Sequence, residues 1–156
     1  MLRFRPMSDE EFAAFHAALV RDYADDIARN YRVAPEEALA RSRAQTGDLS
    51  QQRADPQHLF LTIALEQSGQ AVGALWCQLK PERSYAFILD FVLDPAFRGQ
   101  GYGRRSLELL DRTLAARGVR QIGLHVFGDN ARAQALYREL GYYVTGLNMQ
   151  KDLDPD

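Results

Sequence analysis

The chain has 156 residues, 46% hydrophobic and 26% charged, with a formal net charge of -2. That length fits one domain with a substantial core over residues 1–156, and the charge balance gives no basic face for nucleic acid. No apolar run approaches the roughly 20 residues that cross a bilayer, the N-terminus does not read as a signal peptide, and the single cysteine, Cys77, excludes an internal disulfide and a metal cluster. No metal and no membrane are therefore expected, and a reducing, cytoplasmic setting is.

Leu2 to Arg5 alternate apolar and basic residues, which predicts a short first strand. Ser8 stands three residues before Glu11, the spacing of a capping box, so a helix starts there. Phe12, Phe15, Leu19 and Tyr23 follow at helical intervals as one buried stripe, and Asp22, Asp25 and Asp26 read as solvated surface. Pro35 opens a second helix from Glu36 to about Ala44. Thr46 to Gln57 has no hydrophobic period and reads as a loop.

Leu59 to Leu65 and Ala71 to Leu79 flank Gln67-Ser68-Gly69-Gln70, the pattern of an antiparallel hairpin, with Trp76 in the core or a pocket wall. After the turn Pro81-Glu82-Arg83-Ser84 comes an apolar strand, Tyr85 to Leu93, closed by Asp94-Pro95. Arg98-Gly99-Gln100-Gly101-Tyr102-Gly103 then leads into a helix with Leu107, Leu110 and Leu114 on one face, ending at Gly118. Val119 to Phe127 predicts another strand, with Ile122, Leu124 and Val126 on one side and Gly123, His125 and Phe127 on the other. A helix from Ala131 to about Leu140 and one or two strands over Tyr142 to Val144 and Leu147 to Leu153 complete the chain.

The strands before and after the glycine-rich loop and its helix form a crossover unit and are therefore parallel, while the hairpin predicts antiparallel neighbours. The loop itself is an anion cradle. Its glycines let backbone approach a ligand, the helix start presents unpaired N–H groups, and Arg98 and Arg104 add charge. A Walker A loop is excluded because the chain contains no Gly-Lys pair, and the dinucleotide fingerprint fails at Arg104 and Ser106.

The pattern Arg98-x-x-Gly101-x-Gly103, followed downstream by Asn130-x-x-Ala133-x-x-Leu136-Tyr137-x-x-x-Gly141-Tyr142, resembles the GNAT superfamily of acyl-CoA-dependent N-acetyltransferases, best from about Leu59 to Leu153. The resemblance implies an α+β, three-layer fold. Its sheet would be mixed and mostly antiparallel, with a central parallel strand pair joined by a helix crossover. It also implies transfer of an acetyl group from acetyl-CoA to a primary amine by direct attack in a ternary complex. A non-catalytic acyl-CoA sensor or scaffold of the same fold is the alternative.

The loop Arg98, Gly99, Gln100, Gly101, Tyr102, Gly103 and Arg104 would then hold the CoA pyrophosphate. The backbone of Phe91, Val92 and Leu93 would pair with pantetheine and polarise the thioester. Asn130 would cap its helix and touch the pantetheine. Tyr137 would bind the cofactor and protonate the departing thiolate, unless it is a core tyrosine. For the general base, His125 reads equally as catalytic or structural, and Asp90, interrupting an apolar strand, would act through water, orient the acceptor or pair with an arginine. Phe87 occupies the position where other members carry a glutamate base. The partners implied are acetyl-CoA and an amine acceptor of unspecified kind, and many members of the superfamily form homodimers.

Overall fold

The computed structural model describes residues 1–155. Its first helix begins where the Ser8–Glu11 spacing places it. The Glu11 N–H donates to Ser8 Oγ (3.1 Å) and the Ser8 N–H to Glu11 Oε1 (2.9 Å), satisfying two end donors reciprocally. Helix α1 runs Asp9–Tyr31 and packs against α2, Pro35–Thr46, where the buried Ser42 hydroxyl donates to the Val20 carbonyl at 2.7 Å. The stretch read as a loop contains a short helix, α3, Ser50–Ala54. It has no apolar period of its own and is held by tertiary contacts: Leu49 is 2% exposed and Arg53 pairs with Asp9 at 2.8 Å.

Strands β1 (Leu2–Pro6), β2 (His58–Leu65), β3 (Ala71–Lys80), β4 (Tyr85–Leu93) and β5 (Gln121–Leu124) form one sheet in the order β1-β2-β3-β4-β5. The first three pairings are antiparallel and β4–β5 is parallel. The crossover between β4 and β5 carries helix α4, Tyr102–Ala115, and α5, Ala131–Glu139, follows β5.

Helices pack on both faces, which gives three layers. Leu107, Leu110 and Leu114 of α4 bury against Ile63, Val72, Leu75, Cys77, Ala86 and Ile88. On the other face, Phe12, Phe15 and Leu19 of α1 pack with Met7, Phe60 and Trp76. The Trp76 indole N–H donates to His58 Nδ1 at 3.0 Å, so this core tryptophan leaves no buried donor unpaired. The mixed, mostly antiparallel α+β architecture with one parallel pair stands as the sequence predicts, but among the described residues that pair lies at the edge of the sheet rather than at its centre.

One irregularity positions the site. Cys77 pairs with Ile88 but Trp76 pairs with Asp90, so Leu89 is an extra residue in β4. A bulge of this kind reverses the side on which every later residue points. Before it, Ala86 and Ile88 face α4; after it, Phe91 and Leu93 do. Asp90 is thereby turned out of the α4 core and onto the α1 side.

Two expectations are corrected. The strand predicted over Val119 to Phe127 is confined to Gln121–Leu124, because the ladder with β4 ends at Ile88–Leu124, next to the bulge. The strands predicted over Tyr142 to Val144 and Leu147 to Leu153 are not formed. Every residue from Tyr143 to Pro155 is exposed. A strand needs a neighbouring backbone as well as a pattern, and none lies beside this one.

Candidate functional site

β4 continues from Leu89 to Leu93 after β5 has parted from it, so this half of β4 keeps backbone partners on β3 only. Its other edge, along Phe91, Val92 and Leu93, carries no strand among the described residues. An extended, amide-bearing ligand fits such an edge by strand addition. The edge depends on close packing behind it: a Cβ on Gly73, opposite Leu93, would lie 2.4 Å from the Val92 carbonyl oxygen. Only glycine lets β3 and β4 approach this way.

Immediately beyond the open edge, Pro95–Phe97 form a turn and the loop enters α4. Gly99 and Gly101 adopt φ +74° and +84°, in the left-handed region that favours glycine. Gly101 is the N-cap of α4 and contributes no side-chain cap, so the first-turn N–H groups are free for an anion. Arg98 Nε donates to the Leu93 carbonyl (3.0 Å), Gln100 Nε2 to that of Ala96 (2.9 Å) and Arg105 to that of Gln100 (3.0 Å). These side chains brace the loop. Tyr102 is flanked by Phe97 and by the Arg105 guanidinium, 4.8 Å from its ring. Gly103 sits against Leu136 and Leu93, and Arg104 pairs with Glu139 of α5. A further cation comes from α5: the Arg132 guanidinium lies 3.7 Å from where a Gly99 Cβ would stand. Nothing in the local sequence around the loop announces Arg132; only the fold of α5 across it does.

Asn130 caps α5, its Oδ1 accepting from the Ala133 N–H at 3.1 Å. The preceding turn is latched to the end of α1: Asp129 accepts from Arg29 Nε (2.8 Å) and Asn30 Nδ2 (2.9 Å), and its N–H donates to Asn30 Oδ1 (3.1 Å). His125 is exposed and stands edge-on to Phe127, which itself contacts Tyr23 of α1.

Asp90 and Tyr137 are electrostatically coupled. Burial pushes the Asp90 carboxyl up to about 7, and the like charges of Asp22 and Asp26 on α1 push the same way; only the Phe91 N–H opposes them. Asp90 forms no ion pair among the described residues. Asp22 and Asp25 are exposed, as the sequence predicts, but Asp26 is half-buried and paired with Arg29 at 2.6 Å. Burial raises the Tyr137 phenol to about 12, with the Asp90 charge adding to it. Tyr137 packs edge-on against Tyr142, ring centres 5.5 Å apart, and the Tyr142 hydroxyl is buried without a partner.

Sheet, open strand edge and glycine loop together give the fold its class, a mixed sheet with a loop-to-helix crossover between parallel strands. Residues 18–142 match the model of the "Acetyltransferase (GNAT) family", and the chain belongs to that family. It is 33% identical to each of two uncharacterized N-acetyltransferases of Bacillus subtilis (strain 168). YycN matches over 151 residues, 95% of this chain and 96% of that protein. YdgE matches over 150 residues, 94% and 95%. The crystal structure of YycN from Bacillus subtilis superposes with a TM-score of 0.91 at 32% identity, covering 98% of this chain and 99% of that one. The PaiA N-acetyltransferase of Thermoplasma acidophilum, in complex with coenzyme A, shares the fold at a TM-score of 0.72 and 16% identity, over 95% and 93% of the two chains.

Proposed function

We propose that the protein transfers an acetyl group from acetyl-CoA to a primary amine by direct attack in a ternary complex. The observation that carries this reading is the pair of titratable groups beside the open edge of β4: a carboxyl raised to about 7 and a phenol raised to about 12. A carboxyl brought near neutrality can take up a proton while a phenol held well above it keeps its own, which suits base and acid roles in one reaction.

The cradle from Arg98 to Arg104, with Arg132 beside it, fits a pyrophosphate, and the open edge at Phe91, Val92 and Leu93 fits the pantetheine amides. The PaiA neighbour of the same fold, solved in complex with coenzyme A, supports coenzyme A as the ligand. Asn130 borders the arm where α5 begins. Asp90 removes a proton from the ammonium form of the acceptor, directly or through water, so that a neutral amine attacks the thioester carbon. The Phe91–Leu93 backbone polarises the carbonyl. Tyr137, still protonated at neutral pH, donates a hydrogen bond to sulfur as the C–S bond breaks. The proton that the nitrogen sheds on acylation ends on the thiol. The charges of Asp22 and Asp26 bear on Asp90 and would favour a cationic acceptor. His125 is the second candidate for the base.

The test is thiol release from acetyl-CoA across a panel of amines. Wild type is expected to turn over. Tyr137→Phe is expected to lose roughly 10²–10⁴-fold in kcat, the usual worth of a positioned acid, with coenzyme A binding retained. Coenzyme A binding by wild type without release for any amine would support the sensor alternative, and an unchanged kcat in Tyr137→Phe would remove the phenol from the mechanism.

A further inference from the structure

Gly123 of β5 is not among the glycines with positive φ, so its backbone does not call for glycine. Space does. A Cβ there would overlap the Tyr85 hydroxyl and stand 2.8 Å from Tyr85 Cζ and 3.3 Å from Phe87 Cδ1. Carbon atoms in contact stand roughly 3.5–4.0 Å apart, so the two rings fill room that only glycine leaves. Tyr85 pairs with Gln121 and Phe87 with Gly123 across the parallel ladder. Both rings therefore lean from β4 over β5.

They do so on the α1 side of the sheet. Ile122 and Leu124, flanking Gly123, pack into the α4 cluster, as do Ala86 and Ile88, flanking Phe87; alternation turns Gly123, Tyr85 and Phe87 the other way. The core on that face reaches Trp76 and Ala74 of β3 and stops there. Tyr85, Phe87 and Leu89 belong to neither core cluster, and all three keep contact with solvent, Leu89 the most. This apolar floor has a different charge at each end. Asp90, opposite Trp76, stands on the same face beside Leu89. At the start of β4 the Arg83 guanidinium lies 4.8 Å from the Tyr85 ring and forms no ion pair among the described residues.

We infer that the acceptor is a monoamine with an aryl body, that the floor of Tyr85, Phe87 and Leu89 takes this body, and that Gly123 sets the preference by letting the two rings lie over β5. The inference rests on the proposed placement of the acceptor nitrogen at Asp90. Leu89 adjoins Asp90, and Phe87 lies three residues before it, roughly 10 Å along the strand. A ring a few bonds from the nitrogen meets both. Small-molecule sites have this make-up, an apolar lining with a few placed polar groups. The charges disfavour a second ammonium. Asp22 and Asp26 act at the Asp90 end, but Tyr85 to Leu89 carries no carboxylate, and beyond it stands Arg83. A diamine's second charge would lose water there without gaining a partner, which is costly.

Butylamine, diaminobutane and phenylbutylamine share a chain and differ only in the far group: hydrogen, ammonium or phenyl. Thiol release from acetyl-CoA gives kcat/KM for each amine, and calorimetry gives each Kd on the coenzyme A-bound protein. Wild type is expected to favour phenylbutylamine over butylamine by roughly tenfold in both measures, the worth of covering part of a ring. It is expected to bind diaminobutane no better than butylamine. Gly123→Ala displaces the Tyr85 ring from β5 and should bring the phenyl-to-butyl ratio of Kd toward one. Phe87→Ala, at a side chain outside both core clusters, should lower the same ratio, and it decides the matter if Gly123→Ala fails to fold. A wild-type ratio near one overturns the inference, as does a preference for the diamine or a ratio that neither substitution moves. Thiol release without phenyl preference removes the aryl floor and leaves the proposed reaction standing. Phenyl preference in binding without thiol release keeps the floor and removes the reaction.

Discussion

Replacing Asp90 with asparagine should make the protein more stable and less active, and the stability gain should depend on pH. The Asp90 carboxyl rises from an ordinary 3.8 to about 7 in the fold, a displacement of about three units, worth about 4 kcal/mol at 1.36 kcal/mol per unit. The native state therefore holds this proton more tightly than the unfolded chain does. Between about pH 4 and pH 7 the unfolded chain has released it and the native state has not, so stability falls as pH rises and levels off above 7. Asp90→Asn removes that penalty and substitutes an amide that finds few partners, at a cost of about 1–3 kcal/mol. The net gain at pH 8 is then about 1–3 kcal/mol. The amide cost does not vary with pH, so the difference between variant and wild type should change by about 4 kcal/mol from pH 4 to pH 8. Urea denaturation of both proteins across that range measures it. The same substitution should lower kcat/KM by roughly 10²–10⁴-fold and abolish a rate limb that rises through about pH 7. His125→Asn should keep both the limb and most of the rate. A stability difference that stays constant with pH would refute the raised carboxyl, and with it the physical ground for Asp90 as the base.

Gly73→Ala places a Cβ within 2.4 Å of the Val92 carbonyl. It should cost about 1–3 kcal/mol, as overpacking does, and raise KM for acetyl-CoA more than it lowers kcat, read by denaturation and steady-state kinetics. Tyr142→Phe removes a buried hydroxyl that has no partner; it should leave stability unchanged or raise it by about 1 kcal/mol, and a loss above that amount would show that the hydroxyl is bonded. Glu11 is held down to about 2, chiefly by its hydrogen bonds with Arg5. Its contribution is complete above the ordinary 4.5 and disappears as pH falls toward 2. Because the pair is partly exposed, that contribution is about 1–2 kcal/mol. Arg5→Gln should remove this part of the acid dependence in denaturation curves taken from pH 6 to pH 2.5.

Local patterns made much of this molecule legible. The Ser8–Glu11 spacing, the leucines of α4 and the glycine-bounded hairpin are short-range signals, and each became the element it predicts. The turn into α4 was legible for the same reason, since Gly99 and Gly101 are demanded by their own backbone angles. What escaped was set by contacts across the chain. α3 has no apolar face and depends on Leu49 and Arg53 finding partners elsewhere. Arg132 reaches Gly99 only because α5 crosses the loop. The acidic residues of α1 read as surface from their helical positions, and Asp22 and Asp25 are surface. Nothing local says that Asp22 and Asp26 also bear on Asp90, which the bulge turns to their side of the sheet.

The bulge at Leu89 shows why Asp90 was the hardest position to read. Ala86, Ile88 and Asp90 lie at alternate positions, so strict alternation puts the carboxyl in the α4 core with Leu107 and Leu110, where an unpaired charge is prohibitive. The sequence therefore offers two solutions: an arginine partner, or a change of side. The second is the one found, and it has a consequence for the strand itself. The extra residue that turns Asp90 toward α1 falls where the β4–β5 ladder ends, so the step that rescues a buried acid coincides with the opening of the edge at Phe91–Leu93. Removing Leu89 should restore unbroken alternation, with Asp90 kept on the α1 side opposite Trp76, and bring β4 back toward β5. Such a deletion is expected to close the edge and lose ligand binding, whereas Leu89→Ala, at a side chain already 38% exposed, should spare it. Equal behaviour of the two variants in coenzyme A titration would separate the bulge from the site.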